Sequence, residues 1–336
     1  MVSLRVYIIS RLLLAIPMIL ILLSVVFVVL RVMPGDPVDA IVGPKAPESV
    51  KEKLRHELGL DKPLWEQYVD YLSGLLKGDM GTSLYTHRPV FEEIMDHFPA
   101  TLELTICSMI VAIVVGIFTG AFGARRRNTP GDVAVRVYGI MIYAFFIPWF
   151  AMLLKLVFSV YLKWLPSGSR IEPWATPKRI TGLYLIDSLL TGNIVAFVSA
   201  IRHLILPSMT LGLVLSGIFT RMTRGNLIEI LRRDFITAAR ARGIPENRVI
   251  YGHALKNALI PIITMFGMEF ALLLAGAVLT ETSFAWPGIG TFLVERIAYR
   301  DYTAVQGVVV FYALLVVLVN LIVDVIYAYI DPRIRY

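Results

Sequence analysis

Six apolar stretches alternate with charged segments along the chain, and this pattern predicts six helices that cross a lipid bilayer. Such a helix needs about 20 mostly apolar residues, since each residue adds about 1.5 Å and the hydrocarbon layer is about 30 Å thick. The predicted spans are residues 12–30, 104–124, 137–162, 204–220, 258–280 and 302–330. The predicted fold is therefore an all-α membrane protein with six transmembrane helices.

Basic residues orient these helices, because Lys and Arg accumulate on the cytosolic side of membrane proteins. With six spans, all four basic segments fall on one side, which places both termini in the cytosol. Those segments are Arg5 with Arg11, residues 125–127, residues 221–256, and Arg333 with Arg335. A further apolar stretch, residues 189–201, is too short to cross, so we expect it to lie at the membrane interface or against a loop.

The chain divides into two regions at about residue 100. Residues 1–99 contain the first span and an external amphipathic region, which from residue 33 onward has seven basic and twelve acidic residues. Residues 100–336 contain the other five spans and a cytosolic segment at about residues 234–256. External loops of this size indicate a cap over a pathway or a docking surface for an extracellular partner.

The composition argues against a soluble core and against an enzyme. Hydrophobic residues make up 57% of the chain and charged residues only 17%, against about 25% in soluble domains. The net charge of +7 lies at the ends of apolar stretches, so topology accounts for it and nucleic-acid binding is not expected. Cys107 is the single cysteine and the five histidines are scattered, so we expect no disulfide and no metal site. No GxxxxGK[ST], HExxH or GxSxG motif is present.

The cytosolic segment after the fourth span combines small and basic residues. Ala238, Ala239, Ala241 and Gly243 give a helix face almost without side chains, which lets another protein approach closely. Gly243, with Pro245 just beyond, is typical of a helix C-terminus. The alternative is an amphipathic linker lying on lipid headgroups, but this face lacks the large apolar anchors of such helices. The pattern therefore predicts a cytosolic docking helix.

Two charged residues fall inside predicted spans. Glu269 has eleven uncharged residues on either side, which puts it roughly 17 Å from each end of the helix. A charge at that depth faces a wet cavity or a partner, or is protonated. We expect Glu269 and Lys155 to line a pathway or to pair with each other, the alternative for Lys155 being that it extends to the outer surface. Thr264, on the same span as Glu269, is a further pathway candidate.

Ordered sequence blocks cover nearly the whole chain. They include VFVVLRVMPGDP (26–37), FPATLELT (98–105), HLILPSMTLGL (203–213), HALKNALIP (253–261), ETSFAWPGIG (281–290) and RDYTAVQG (300–307). Through these blocks the chain resembles the permease subunits of binding-protein-dependent ABC importers of the dipeptide, oligopeptide and nickel family. Ala238, Ala239 and Gly243 match the spacing of that family's Glu-Ala-Ala cytosolic motif, although Thr237 replaces its Glu.

The resemblance implies the type I importer permease fold and a short coupling helix that docks on an ATPase subunit. The residues implied for this contact are Phe235, Thr237, Ala238, Ala239, Arg240, Arg242 and Gly243. It also implies a homologous second permease, two ATPase subunits that hold ATP and Mg²⁺, and an external substrate-binding protein. This chain itself would bind no cofactor, and its place would be the cell membrane.

Oligopeptides or similar small solutes are the substrates that the resemblance implies, with alternating access as the mechanism. Relatives that carry nickel or oligosaccharides leave those substrates open as alternatives. A stand-alone secondary transporter would need internal inverted repeats, which the sequence lacks. A membrane scaffold without transport activity would have no use for charges in mid-membrane.

Overall fold

The computed structural model describes residues 4–32, 45–57 and 59–330, together with Val38 and Gly43. Over these residues the chain is helical, and the only β-type pairing found there is an isolated bridge between Thr82 and Pro89. The all-α prediction therefore holds for this part of the chain. The basic pair Arg333 and Arg335, used above to orient the last span, lies outside the described residues.

Thirteen helices are named here within those residues. They are α1 (Leu4–Val32), α2 (Glu48–Glu57), α3 (Leu64–Leu76), α4 (Val90–Arg125), α5 (Pro130–Ala144), α6 (Ile147–Lys155), α7 (Tyr184–Leu190), α8 (Ile194–Ile230), α9 (Asp234–Ala241), α10 (Leu255–Gly276), α11 (Val278–Ser283), α12 (Ile289–Ala298) and α13 (Tyr302–Ile330). Two π-helical segments, Leu156–Tyr161 and Val249–Ala254, extend α6 and lead into α10.

Helices α4 and α8 form the centre of the molecule and cross at glycines. A Cβ atom on Gly116 would overlap the Cβ of Phe219, and one on Gly120 would lie 2.7 Å from the carbonyl oxygen of Thr220. Gly212 of α8 lies as close to the backbone of α4. Small residues let membrane helices approach until their backbones are in van der Waals contact. The glycines at these positions therefore allow the close packing of α4 on α8. Larger side chains there would separate the two helices.

Length and composition allow α4, α8 and α13 to cross a bilayer, the last over Tyr302–Val323. A bent pair, α5 with α6 and its π-helical extension, counts as one broken span, so the described residues contain three spans or up to four. Shorter apolar helical stretches, Leu13–Val29 and Met265–Leu274, lie in α1 and α10.

The predicted third span, residues 137–162, is not one straight helix. Helices α5 and α6 meet at a bend of 100°, and the backbone of Phe145 and Phe146 between them is extended. Pro148 stands in the first turn of α6, where its missing N–H leaves no hydrogen bond unmade. The apolar run folds as two helices, with Pro148 at a position that costs no backbone hydrogen bond.

The apolar stretch 189–201 is not a separate element. It is shared between α7, a turn, and the first two turns of α8, whose N-terminus is capped by the Asn193 side chain accepting from the Ala196 N–H at 3.0 Å. Ala196 and Ala200 pack against Ile171 and Ala175 of the preceding loop. The expected contact with a loop is thus present, but the second part of the stretch belongs to α8, which is 37 residues or about 55 Å long in total.

Buried ion pairs fasten two later segments of the chain to α4. Glu103 accepts hydrogen bonds from the Arg170 guanidinium at 2.7 and 3.0 Å and from the Leu185 N–H at 2.8 Å. Nearer the start of α4, Arg296 of α12 donates to Glu93 at 3.2 Å. All four charged side chains are under 10% exposed. The loop before α7 and the helix α12 are therefore held on the same central helix.

Candidate functional site

Helix α9 is the short element that the sequence predicted as a docking helix, and its end has the geometry of a Schellman motif. The Gly243 N–H donates to the Arg240 carbonyl at 2.9 Å, and the Ile244 N–H donates to the Ala239 carbonyl at 3.3 Å. Gly243 itself has φ +74°, a left-handed conformation that glycine adopts without strain. The predicted termination at Gly243 is confirmed.

One face of α9 is buried in the chain itself. Ile236 is fully buried and Ala239 is 9% exposed, and both belong to an apolar cluster with Ala124 of α4 and Leu227 of α8. Residues three apart lie on the same helix face, so Ala239 lies on the same buried face as Ile236. The prediction that Ala239 offers a surface to a partner is therefore wrong in this structure: its small side chain lets α9 pack closely on α4 and α8.

The other predicted docking residues lie on the outer face. These six exposed residues are Phe235, Thr237, Ala238, Arg240, Arg242 and Gly243. Phe235 is the large apolar member of this surface, 47% exposed. The outer face of α9 thus presents one aromatic ring, small residues and two guanidinium groups, which suits close approach by a protein with an acidic or apolar groove.

A surface ion pair joins α9 to the segment that follows it. The Arg240 guanidinium donates to both carboxylate oxygens of Glu246, at 2.6 and 3.1 Å. This hydrogen bonding lowers the pKa of Glu246 below its usual value. Both side chains are about half exposed, so the pair contributes at most about 1 kcal/mol. Sequence reasoning missed this contact, although opposite charges on either side of the Gly243 turn were a visible signal.

The segment after α9 is packed as firmly as α9 itself. A short helical turn, Glu246–Arg248, continues into the π-helical segment Val249–Ala254 and then into α10. Val249, Ile250 and Ala254 are buried in the same apolar cluster as Ile236. A helical segment from Glu246 to Ala254, π-helical in its second part, thus leads into α10. Because α9 is connected to α8 on one side and α10 on the other, force applied to α9 reaches both helices.

Lys155 binds the end of a neighbouring helix. Its ammonium group donates to the Ser283 carbonyl at 2.8 Å and lies 5.4 Å from the centre of the Phe284 ring. Ser283 is the last residue of α11, where exposed carbonyls attract a cation. Among the described residues no ion pair joins Lys155 to Glu269, so the predicted pairing of the two is not present in this structure.

Glu269 is buried in the helix bundle. Glu269 is 8% exposed, whereas its neighbour Met268 on α10 is 53% exposed. Helical spacing puts Glu269 on the same stripe as Phe266 and Leu273, which pack in the cluster formed with α4 and α8. No hydrogen bond or ion pair to Glu269 is found within the described residues. The side chain of Thr264, the other predicted pathway residue on this helix, lies outside that part of the chain.

The described residues contain no group of three or more His, Cys, Asp or Glu side chains close enough to hold a metal ion.

Two family models match the chain in succession. The N-terminal model of binding-protein-dependent transport system membrane components matches residues 4–105, and the model described as binding-protein-dependent transport system inner membrane component matches residues 112–336. Together they extend over almost the whole sequence, including α9 and Glu269.

Individual relatives match over similar lengths. The di/tripeptide transport system permease protein DppB of Pseudomonas aeruginosa is 43% identical over 92% of this chain and 93% of its own length. The dipeptide transport system permease protein DppB of Alkalihalophilus pseudofirmus is 42% identical over 98% of this chain and 99% of its own length. The glutathione transport system permease protein GsiC of Escherichia coli is 39% identical over 98% of this chain and 99% of its own length. The chain therefore belongs to the family of inner membrane components of binding-protein-dependent transport systems.

Proposed function

We propose that the chain is the permease subunit of an ATP-driven importer for dipeptides or other short peptides. The observation that carries this proposal is the near-complete match to permeases whose names refer to dipeptide, di/tripeptide or glutathione transport. This chain provides half of the translocation pathway and carries out no hydrolysis of its own. A homologous second permease provides the other half, and an extracellular binding protein delivers the peptide.

The proposed topology has six spans with both termini in the cytosol. Supporting it are the spanning helices α4, α8 and α13, the bent α5–α6 pair, and the apolar stretches of α1 and α10. This arrangement puts α9 and the arginines at the end of α4 in the cytosol, as the distribution of basic residues requires. The external clamps at Glu103 and Glu93 then lie on the opposite side.

We propose that the outer face of α9 docks on one of two ATPase subunits, which hold ATP and Mg²⁺. Exposure of Phe235, Ala238 and Arg242 supports this contact, while Ile236 and Ala239 fix α9 to the bundle. When the ATPase pair closes on ATP, α9 would move with it and carry α8 and α10. The pathway would then open to the other side, which is alternating access.

Glu269 is the proposed pathway residue of α10, facing the sister permease when the pathway opens. Its burial beside α4 and α8 without a hydrogen-bonded partner supports a role that depends on a conformational change. Lys155 has a structural part in this proposal, holding α6 on α11. We expect Glu269→Gln to preserve assembly but to change the rate of peptide uptake. Unchanged uptake by a Glu269→Leu variant would contradict this role.

Co-expression with the ATPase subunits tests the proposed function. We expect the chain to co-purify with them and, in proteoliposomes with the binding protein, to hydrolyse ATP faster when a dipeptide is added. Ala238→Trp on the outer face of α9 should reduce this stimulation at least tenfold. Gly225→Trp, at an open position on α8, is the matched control and should not. Stimulation by an oligosaccharide or nickel but not by peptides would reject the peptide assignment, and absence of any ATPase partner would reject the importer.

A further inference from the structure

A basic cavity of about 300 Å³ lies beside α9, where α4 ends. Four arginines line it, Arg125 and Arg127 from the end of α4, Arg232 after α8, and Arg240 of α9, together with the single acid Glu246. The volume corresponds to about ten water molecules at about 30 Å³ each. That is enough room for a phosphate group and the atoms next to it.

The charge of this cavity is not balanced within the chain. Glu246 is engaged by Arg240 through two hydrogen bonds, and no hydrogen bond or ion pair from a described residue engages the guanidinium groups of Arg125, Arg127 or Arg232. Arg126 differs from its two neighbours, since it does not line the cavity and its guanidinium lies 4.7 Å from the centre of the Phe122 ring. Arg125 acts on the Glu246 carboxylate through its charge alone. Three arginines that have no hydrogen-bond partner among the described residues therefore line one cavity, which suits an anion.

Apolar residues form the rest of the cavity lining, and this apolar part is called its floor. It consists of Ala124, Ile228, Leu231 and Ile250. Ala124 is the last residue of the apolar run of α4, so in the proposed topology this floor lies at the cytosolic edge of the hydrocarbon layer. A ligand that fits both parts has a phosphate joined to an apolar body. A free inorganic anion would leave the apolar floor uncovered.

We propose that this cavity binds the headgroup phosphate of an anionic phospholipid of the cytosolic leaflet. A guanidinium group donates two parallel hydrogen bonds to phosphate oxygens, and basic pockets between membrane helices on the cytosolic side bind anionic headgroups. Because its arginines come from α4, from the turn after α8 and from α9, the bound lipid would link all three. The inference rests on the cytosolic position of α9 but not on which solute is transported.

Native mass spectrometry of the purified full-length chain tests the site. The chain is equilibrated with equimolar phosphatidylglycerol and phosphatidylcholine, and the ratio of the two bound lipids is measured. Each single substitution, such as Arg125→Gln, should lower the preference for phosphatidylglycerol about fivefold, and the triple Arg125→Gln/Arg127→Gln/Arg232→Gln about a hundredfold. Arg126→Gln removes the same charge from the same segment and should leave the preference unchanged. An equal loss in Arg126→Gln, or no loss in the triple variant, would overturn the proposal.

Two further measurements separate the lipid from other anions. A large excess of inorganic phosphate should not displace phosphatidylglycerol, and displacement would identify a free-phosphate site instead. The triple variant is also tested for co-purification with the ATPase subunits. Loss of the ATPase with the lipid preference intact would assign the arginines to an acidic group of that partner and overturn the lipid site. If the wild-type chain binds no ATPase yet keeps the arginine-dependent lipid preference, the proposed importer function fails while the lipid site stands.

Discussion

Gly243 allows a test that separates two reasons for a glycine at the end of α9. One reason is conformational, since its φ of +74° closes the Schellman motif. The other is that a docked ATPase leaves no room for a side chain. Within this chain a Cβ atom at Gly243 meets no heavy atom within 4 Å. A substitution therefore creates no internal clash, and any intramolecular cost comes from the backbone conformation.

The two reasons predict opposite orders for small substitutions. A left-handed conformation costs an ordinary L-residue about 1–2 kcal/mol, whereas Asn adopts it more readily than most other L-residues. On the conformational reason, Gly243→Asn stays close to wild type, Gly243→Ala loses about 1 kcal/mol, and Gly243→Val loses more. One kcal/mol lowers the ratio of ordered to frayed helix ends about fivefold. If the partner's packing decides, Ala is tolerated better than the larger Asn.

The assay is dipeptide-stimulated ATP hydrolysis by the reconstituted importer, together with hydrogen exchange of the amides of residues 234–244. We expect the coupling, measured as the stimulation of ATP hydrolysis by the dipeptide, to fall in the order Gly, Asn, Ala, Val at position 243. Amide hydrogen exchange should become faster in the same order. The same substitutions at Gly225, an exposed helical position with open space around it, are the control. Greater coupling in Gly243→Ala than in Gly243→Asn, with unchanged exchange in both, would refute the conformational reason.

Two further predictions concern the buried acidic side chains of Glu103 and Asp187. Glu103→Gln should destabilise the protein by about 3 kcal/mol, because it leaves the Arg170 charge buried without its counter-ion. The double change Glu103→Leu/Arg170→Leu should destabilise it much less. The unfolding temperatures of the detergent-purified variants measure both effects. Burial alone would raise the pKa of Asp187, but hydrogen bonds from Thr181, Ile180 and Gly182 together lower it. Its stabilising effect is therefore present above about pH 4 and lost only as the pH falls below that, so the deficit of Asp187→Asn, about 2 kcal/mol, should be constant between about pH 5 and 8 and shrink in acid.

Local patterns in the sequence predicted where helix α9 ends. Gly243 and Pro245 mark its end, and the structure ends α9 at Ala241 with Gly243 in the capping position. The bend at Phe145 was missed. Hydropathy averages over about 20 residues, so its score does not register a change of 100° in helix direction. Pro148 alone was not a sufficient signal, since Pro207 lies inside the continuous helix α8.

Contacts between distant residues could not be predicted from one sequence. Arg170 and Glu103 are 67 positions apart, and neither position has a local pattern that indicates the other. Lys155 was expected to line a pathway, to pair with Glu269 or to extend to the outer surface. No ion pair with Glu269 is found among the described residues, and the Lys155 ammonium group donates to the Ser283 carbonyl at the end of α11. A backbone acceptor of this kind leaves no trace in the residue types, so such a site becomes visible only in three dimensions.

Small residues serve opposite purposes in the two halves of this chain, and the difference explains the error at Ala239. On α4, Gly116 and Gly120 face another helix and bring its backbone close. On α9, Ala238 faces outward and leaves a surface bare, whereas Ala239, one position further along, faces inward beside Ile236. A run of small residues therefore does not indicate which face is covered. The large apolar residue three positions before does, because a buried Ile fixes the inward direction for every residue on its face.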